Sequence, residues 1–143
     1  MIVAMILEQK GRNVATMGAE ATISEAVSEL ARHKIGAIVV VEDRDIIVGI
    51  LSERDIVRAI AKSGPEILAA PAGSIMTSEV MTCEDSETIN DVMARMTRGR
   101  FRHLPVEKDG RLTGIISIGD VVKARIEEVE REAEEMRAYI STA

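Results

Sequence analysis

The chain writes much of its plan twice. VATMGAEATI at 14–23 returns as VMTCEDSETI at 80–89, and IGAIVVVE at 35–42 returns as FRHLPVEK at 101–108, each 66 residues on. GILSERDIV at 49–57 returns as GIISIGDVV at 114–122, but 65 residues on. The missing residue falls where EDRD in the first copy faces KDGR in the second, a turn that absorbs a deletion cheaply. A duplication of this length restricts the fold to two copies of one small unit. Repeat 1 spans about 14–62 and repeat 2 about 80–126, joined by a linker at 63–79.

Each repeat reads β-α-β-β-α, which makes the fold class α+β. A short strand near Val14–Thr16 or Val80–Thr82 precedes a polar turn. Ala26, Val27, Leu30 and Ala31, echoed by Val92, Met93 and Met96, then form one apolar helical face. Two aliphatic strands follow, near 37–41 and 46–51 and again near 103–106 and 111–116, closed as hairpins by EDRD and KDGR. A last helix begins at Ser52 or Ser117. Gly64-Pro65 stops it in repeat 1. PEILAAPAGSIMTSE follows as the linker, with room for one helical turn. In repeat 2 the helix continues, through 127–143. Its apolar residues Val122, Ile126, Val129, Ala133, Met136 and Ile140 alternate spacings of four and three, a heptad seam. That seam fits packing along the helix's own domain, against an N-terminal helix within residues 1–13, or pairing between subunits.

Composition removes several function classes. Phe101 and Tyr139 are the only aromatics, so the core is aliphatic and no platform for stacking bases exists. A net charge of −6 disfavours general affinity for nucleic acid or an anionic membrane. The single Cys83 excludes an intrachain disulfide and suits a reducing cytoplasm. The apolar run in MIVAMILEQKG is too short to span a bilayer and lacks a signal-peptide layout, so a cytoplasmic location is expected. There is no P-loop, H-E-x-x-H or G-x-S-x-G, and nothing pairs Cys83 with a histidine base. No catalysis is expected, and no metal.

The twice-written phrase Gly-x-x-Ser-x-x-Asp has two readings. As structure, Ser52 or Ser117 caps the helix and Asp55 or Asp120 returns to the cap's backbone N–H. Asp fits such a capping box less well than Glu or Gln, and the glycine gives room at the strand-to-helix corner. As a site, the free N–H groups and partial positive charge of a helix N-terminus attract phosphate. A carboxylate beside them can accept both hydroxyls of a ribose. Nearby, Arg95 and Arg98 offset the dipole at a helix end, whereas Arg102 and His103 enter a strand and are better placed for a ligand. His33 reads as a surface histidine.

Two such repeats, each with Gly-hydrophobic-x-Ser-x-x-Asp, resemble a pair of cystathionine-β-synthase (CBS) domains, a Bateman module. The resemblance covers about 14–126, and the layout is similar to small stand-alone CBS-pair proteins of bacteria. It implies repeats packed about a pseudo-two-fold axis, with two clefts for an adenosine-containing ligand: AMP, ADP, ATP, S-adenosylmethionine or NAD. Carried onto this chain, it assigns one cleft Ser117 and Asp120, with Thr16, Ala21 and the Gly36-Ala37-Ile38 backbone at the base. Arg102 and His103 would face the phosphates there. The other cleft takes Ser52 and Asp55, with Thr82 and the His103-Leu104 backbone near the base. Because Gly36-Ala37 stands where repeat 2 has Arg102-His103, the Asp120 cleft is expected to bind more tightly. The resemblance implies a regulatory nucleotide sensor and a homodimer, with an unidentified regulated protein as a further partner. The alternative is an interaction subunit with vestigial clefts that acts through its helices.

Overall fold

The structure, a computed structural model, describes residues 1–142. Its elements run α1 (Val3–Lys10), β1 (Thr16–Met17), α2 (Ile23–His33), β2 (Ala37–Glu42), β3 (Ile46–Ser52), α3 (Glu53–Ser63), α4 (Ile89–Gly99), β4 (His103–Lys108), β5 (Arg111–Ser117) and α5 (Ile118–Thr142). Two short 3-10 segments, Pro65–Ala69 and Ala72–Ser74, join α3 to the second half. The fold is therefore mixed α+β, as the repeat order requires.

The five strands form one sheet in the order β1-β2-β3-β5-β4. Within it the repeats match register for register. Ala37 pairs with Ser52 as His103 pairs with Ser117, and a bulge follows Val40 as it follows Val106. The hairpin turns explain the change of offset. Asp43, Arg44 and Asp45 take three left-handed positions, while Asp109 and Gly110 take two. An Asp-Gly pair is the preferred two-residue hairpin turn. The halves meet where Ile46 pairs with Arg111, flanked by Ile47 N–H to Gly110 carbonyl (3.1 Å) and Leu112 N–H to Asp45 carbonyl (2.9 Å). The pseudo-two-fold axis passes through this point.

One expected strand is not formed. Repeat 2 has only a single parallel bridge, Cys83 to Val106, where repeat 1 has β1. In repeat 1 the Val39 N–H donates to the Ala15 carbonyl. The residue equivalent to Val39 is Pro105, which has no N–H to donate.

The duplication also extends beyond its sequence signature. Val3 N–H donates to Glu87 carbonyl (2.9 Å) and Ala4 N–H to Asp85 carbonyl (3.0 Å). In the other half, Ala72 N–H donates to Ala21 carbonyl (2.7 Å) and Gly73 N–H to Ala19 carbonyl (2.9 Å). The segments 1–10 and 70–79 are thus the same arm, each preceding one repeat in the chain and laid across the other. Val3, Ile6 and Leu7 join the core of repeat 2 with Val92, Met96, Leu104 and Ile116. Ala72, Ile75 and Met76 do so for repeat 1, beside Ile23, Leu30, Ile38 and Leu51. The linker expected between domains is in this sense part of a domain.

The motif glycines belong to this packing rather than to the strand-to-helix corner. A Cβ at Gly49 would overlap the Met76 side chain, and one at Gly114 would lie 2.9 Å from a Leu7 methyl. Each glycine lets its arm cross close to the sheet. Among the described residues, no helix is long and apolar enough to cross a membrane.

Candidate functional site

Both copies of Ser-x-x-Asp form a capping box, so the aspartates reach as far as the task requires. Ser52 N–H donates to Asp55 Oδ2 (2.9 Å), and Asp55 N–H donates back to Ser52 Oγ (3.3 Å). Ser117 N–H donates to Asp120 Oδ2 (2.8 Å), and Asp120 N–H donates to Ser117 Oγ (3.2 Å). In each pair the named oxygen is Oδ2, which leaves the second carboxylate oxygen available as an acceptor. The corners are also clipped to the neighbouring strand entrance. Glu53 N–H donates to Gly36 carbonyl (3.0 Å), and Ile118 N–H to Arg102 carbonyl (2.8 Å). Each helix N-terminus therefore sits beside Gly36-Ala37 or Arg102-His103.

Two clefts open at these corners. The first, of about 660 Å³, is lined by Ser52, Asp55, Arg54, Arg58, Arg100 and Arg102, with Glu53, Glu79, Val80, Met81 and Phe101 among the others. The second, of about 620 Å³, is lined by Lys10, His33, Lys34, Gly36, Ala37 and Ser117, with Asn13, Val14 and Ile115. Both volumes suit a nucleotide-sized molecule. His103, Gly36 and Ser117 border both clefts. Gly36 is small where repeat 2 has arginine, and a Cβ there would come within 3.1 Å of the His103 imidazole.

The charges in the clefts differ in kind. Lys10 Nζ lies 2.6 Å from Asp120 Oδ2 and 2.9 Å from the Ile115 carbonyl. Burial pushes the Asp120 carboxyl up, but hydrogen bonds from Lys10 and the Ser117 backbone outweigh it and hold the group below the usual carboxylate range. Burial pushes the His103 imidazole down, against the pull of Glu53, with Lys10 and Arg102 adding to the fall. Cys83 is buried, and its thiol is pushed up to about 12, chiefly by that burial and by Glu87. It is an inert core residue. Among the described residues, no group of three His, Cys, Asp or Glu side chains could hold a metal.

The expected site residues divide unevenly. Ser52, Asp55 and His103 come together in the first cleft. Ser117, Gly36, Ala37 and His103 come together in the second; Asp120 does not line it, but is hydrogen-bonded to Lys10, which does. Arg102 lines the first cleft, together with Asp55 and Ser117, and does not line the second. Arg102 and His103 both line the first cleft, and His103 alone of the two reaches the second. Thr16, Ala21 and Ile38 do not line the second cleft, and Ile38 is fully buried. Thr82 and Leu104 do not line the first; Leu104 lies in the core, and the Thr82 carbonyl accepts from the Arg95 guanidinium. The residues not foreseen are Lys10, His33, Lys34, Arg54, Arg58 and Arg100. Arg54 and Arg58, four apart at the start of α3, carried a readable signal; Lys10 did not, because its arm comes from the far end of the chain.

The sequence matches the CBS domain family over residues 11–62 and 72–127. A CBS-domain-containing protein of Agrobacterium tumefaciens shares 48% identity and superimposes with a TM-score of 0.84, covering 87% of this chain and 99% of that one. A CBS domain protein of Pyrobaculum aerophilum, solved in complex with AMP, shares 31% identity with a TM-score of 0.74 over 84% of this chain and 89% of its own. A CBS domain pair solved with 5'-methylthioadenosine and S-adenosyl-L-methionine shares 26% identity with a TM-score of 0.80 over 90% and 98%. A mitochondrial CBS domain-containing protein of Arabidopsis thaliana is 37% identical over 123 residues, 83% of this chain and 60% of that protein. The chain spans 60 to 66% of the length of the first curated relatives it matches.

Proposed function

The chain belongs to the CBS domain family, and on that premise we propose that it is a non-catalytic regulatory module that senses an adenosine-containing ligand. One observation carries this reading. In a chain of net charge −6, both inter-repeat clefts join a capped helix N-terminus to a bank of cationic side chains. The free oxygens of Asp55 and Asp120 would take the ribose diol. Arg54, Arg58, Arg100 and Arg102 would take phosphate in the first cleft; Lys10, Lys34 and His33 would do so in the second. AMP, ADP, ATP and NAD all meet these demands, and S-adenosylmethionine meets them without phosphate. The relatives solved with AMP and with S-adenosyl-L-methionine support the ligand class. The ligand would shift the packing of the two repeats in a cytoplasmic homodimer and so alter what a regulated protein meets, through its unequal affinity for two states.

Thermal-shift measurement with each of these ligands tests the reading. A ligand at 100 times its Kd adds about 2.7 kcal/mol to the folded state, so at least one should raise the Tm clearly. No shift with any of them would leave the second reading, an interaction subunit. That reading rests on a separate observation: Val122, Ile126, Val129, Met136 and Ile140 all stand exposed along α5.

A further inference from the structure

We propose that the exposed seam of α5 pairs with the same seam of a second copy as a short parallel coiled coil. The inference deepens the homodimer reading above and rests on it. Val121 and Ala124 face the core, while the seam lies about a third of a turn round the helix. Ile126, Val129, Met136 and Ile140 are 46 to 66% exposed. From Val129 to Thr142 every residue is exposed, so this half of α5 has no cover within the chain. A solitary helix of about 12 to 15 residues is marginal in water, and this one needs a partner. A shallow groove lined by Ile118, Val122 and Ile126 continues the seam onto the body of the module.

The flanking charges choose the orientation. With Ile126, Ala133 and Ile140 at a, and Val122, Val129 and Met136 at d, the g positions hold Arg125, Glu132 and the uncharged Tyr139. The e positions hold Lys123, Glu130 and Arg137. In a parallel pair each g residue meets the e residue five places on in the other helix. That sets Arg125 against Glu130 and Glu132 against Arg137, and two-fold symmetry repeats both attractive pairs. An antiparallel pair overlapping the whole seam sets Glu130 against Glu130, Glu132 against Glu132 and Lys123 against Arg137. All three meetings are repulsive. Only the parallel arrangement joins the apolar seam without opposing like charges.

Light scattering on the intact chain over a range of concentrations should give a dimer. Met136→Cys should then link two chains on mild oxidation, because d faces d in a parallel coil; the buried Cys83 is too unreactive to compete. Arg137→Glu should raise the dimer Kd roughly ten-fold, and Glu132→Arg/Arg137→Glu should restore it. All these residues lie in the uncovered half of α5, so the body stays folded. A monomer at every concentration would overturn this inference and the homodimer reading together. A dimer unchanged by Met136→Glu/Ile140→Glu would overturn the seam alone. Linking by Ile126→Cys/Met136→Cys but not by Met136→Cys would overturn the parallel orientation, and no rescue by the charge swap would overturn the register.

Discussion

At the scale of single residues, His103 has the most unusual place: it stands in the wall between two clefts, half-buried, among Glu53, Lys10, Arg102 and Asp120. Its imidazole is held below the ordinary histidine range, first by burial. The unfolded chain therefore takes up a proton near pH 6.5 that the folded chain resists. Stability contributed at this site falls as pH drops below that value, until the folded group's own lower pKa is reached. His103→Asn should flatten this part of the denaturation-midpoint profile. Asp120 acts in a separate, more acidic window. Its folded carboxyl is lowered, so its contribution is present above the unfolded carboxyl range and lost as pH falls through the folded value. Ligand binding reverses the sense at His103. A phosphate beside the imidazole favours the charged form, so binding AMP takes up a proton and AMP affinity should rise as pH falls from about 8 towards 6. Adenosine, which lacks the phosphate, should show no such trend. Calorimetry in buffers of different ionisation enthalpy measures the uptake directly, and its absence for AMP would remove His103 from the phosphate's surroundings.

At the scale of elements, the glycines at 49 and 114 show what a strand must give up so that an arm can cross it. Gly49→Ala places a methyl into Met76, and an overpacked core change of this kind costs about 1–3 kcal/mol. In a Met76→Ala background the same glycine change should cost little. Urea midpoints for the four proteins of that cycle give the coupling, and a coupling near zero would mean that the glycine serves something other than the arm. The repeat itself was legible because strand alternation, Asp-Gly turn chemistry and Ser-x-x-Asp caps all leave side-chain signatures. The arms left none. Between 1–10 and 70–79, aligned by their hydrogen bonds, only Ile6 and Ile75 are identical. Backbone pairing defines these segments, and backbone pairing does not constrain side-chain type. Even the conformation differs: the first arm is an α-helix, while Pro71, Gly73 and Ser74, poor helix formers, reduce the second to a 3-10 turn. The lost first strand of repeat 2 was legible in principle, since Pro105 removes a donor that the matching valine supplies.

At the scale of the whole molecule, the two clefts are alike in backbone and unlike in charge, and this sets the order in which they should fill. The family resemblance assigns the phosphate ligands to the Asp120 cleft, because repeat 1 has Gly36-Ala37 where repeat 2 has Arg102-His103. In the structure Arg102 lines the first cleft, with Arg54, Arg58 and Arg100, and does not line the second. Among the described residues no lysine bonds to Asp55, whereas Asp120 is already held by Lys10 at 2.6 Å. A ribose diol approaching Asp120 must compete with that ammonium, and whatever the displaced pair loses is subtracted from binding. The cleft beside Asp55 should therefore bind AMP more tightly. A hydrogen-bonded charged group contributes about 1.5–3 kcal/mol, so Asp55→Ala should weaken the tighter phase of an AMP titration roughly ten- to hundred-fold. Asp120→Ala should leave that phase nearly unchanged and affect only the weaker one. Equal losses in the two variants would show that the charge difference does not rank the clefts, and a larger loss for Asp120→Ala would invert the ranking. Lys10→Ala separates the two contributions at the weaker cleft. Freed of its partner, Asp120 should bind adenosine more tightly than in the parent protein, while AMP should gain less, because the ammonium that competes for the diol is also a cation available to phosphate.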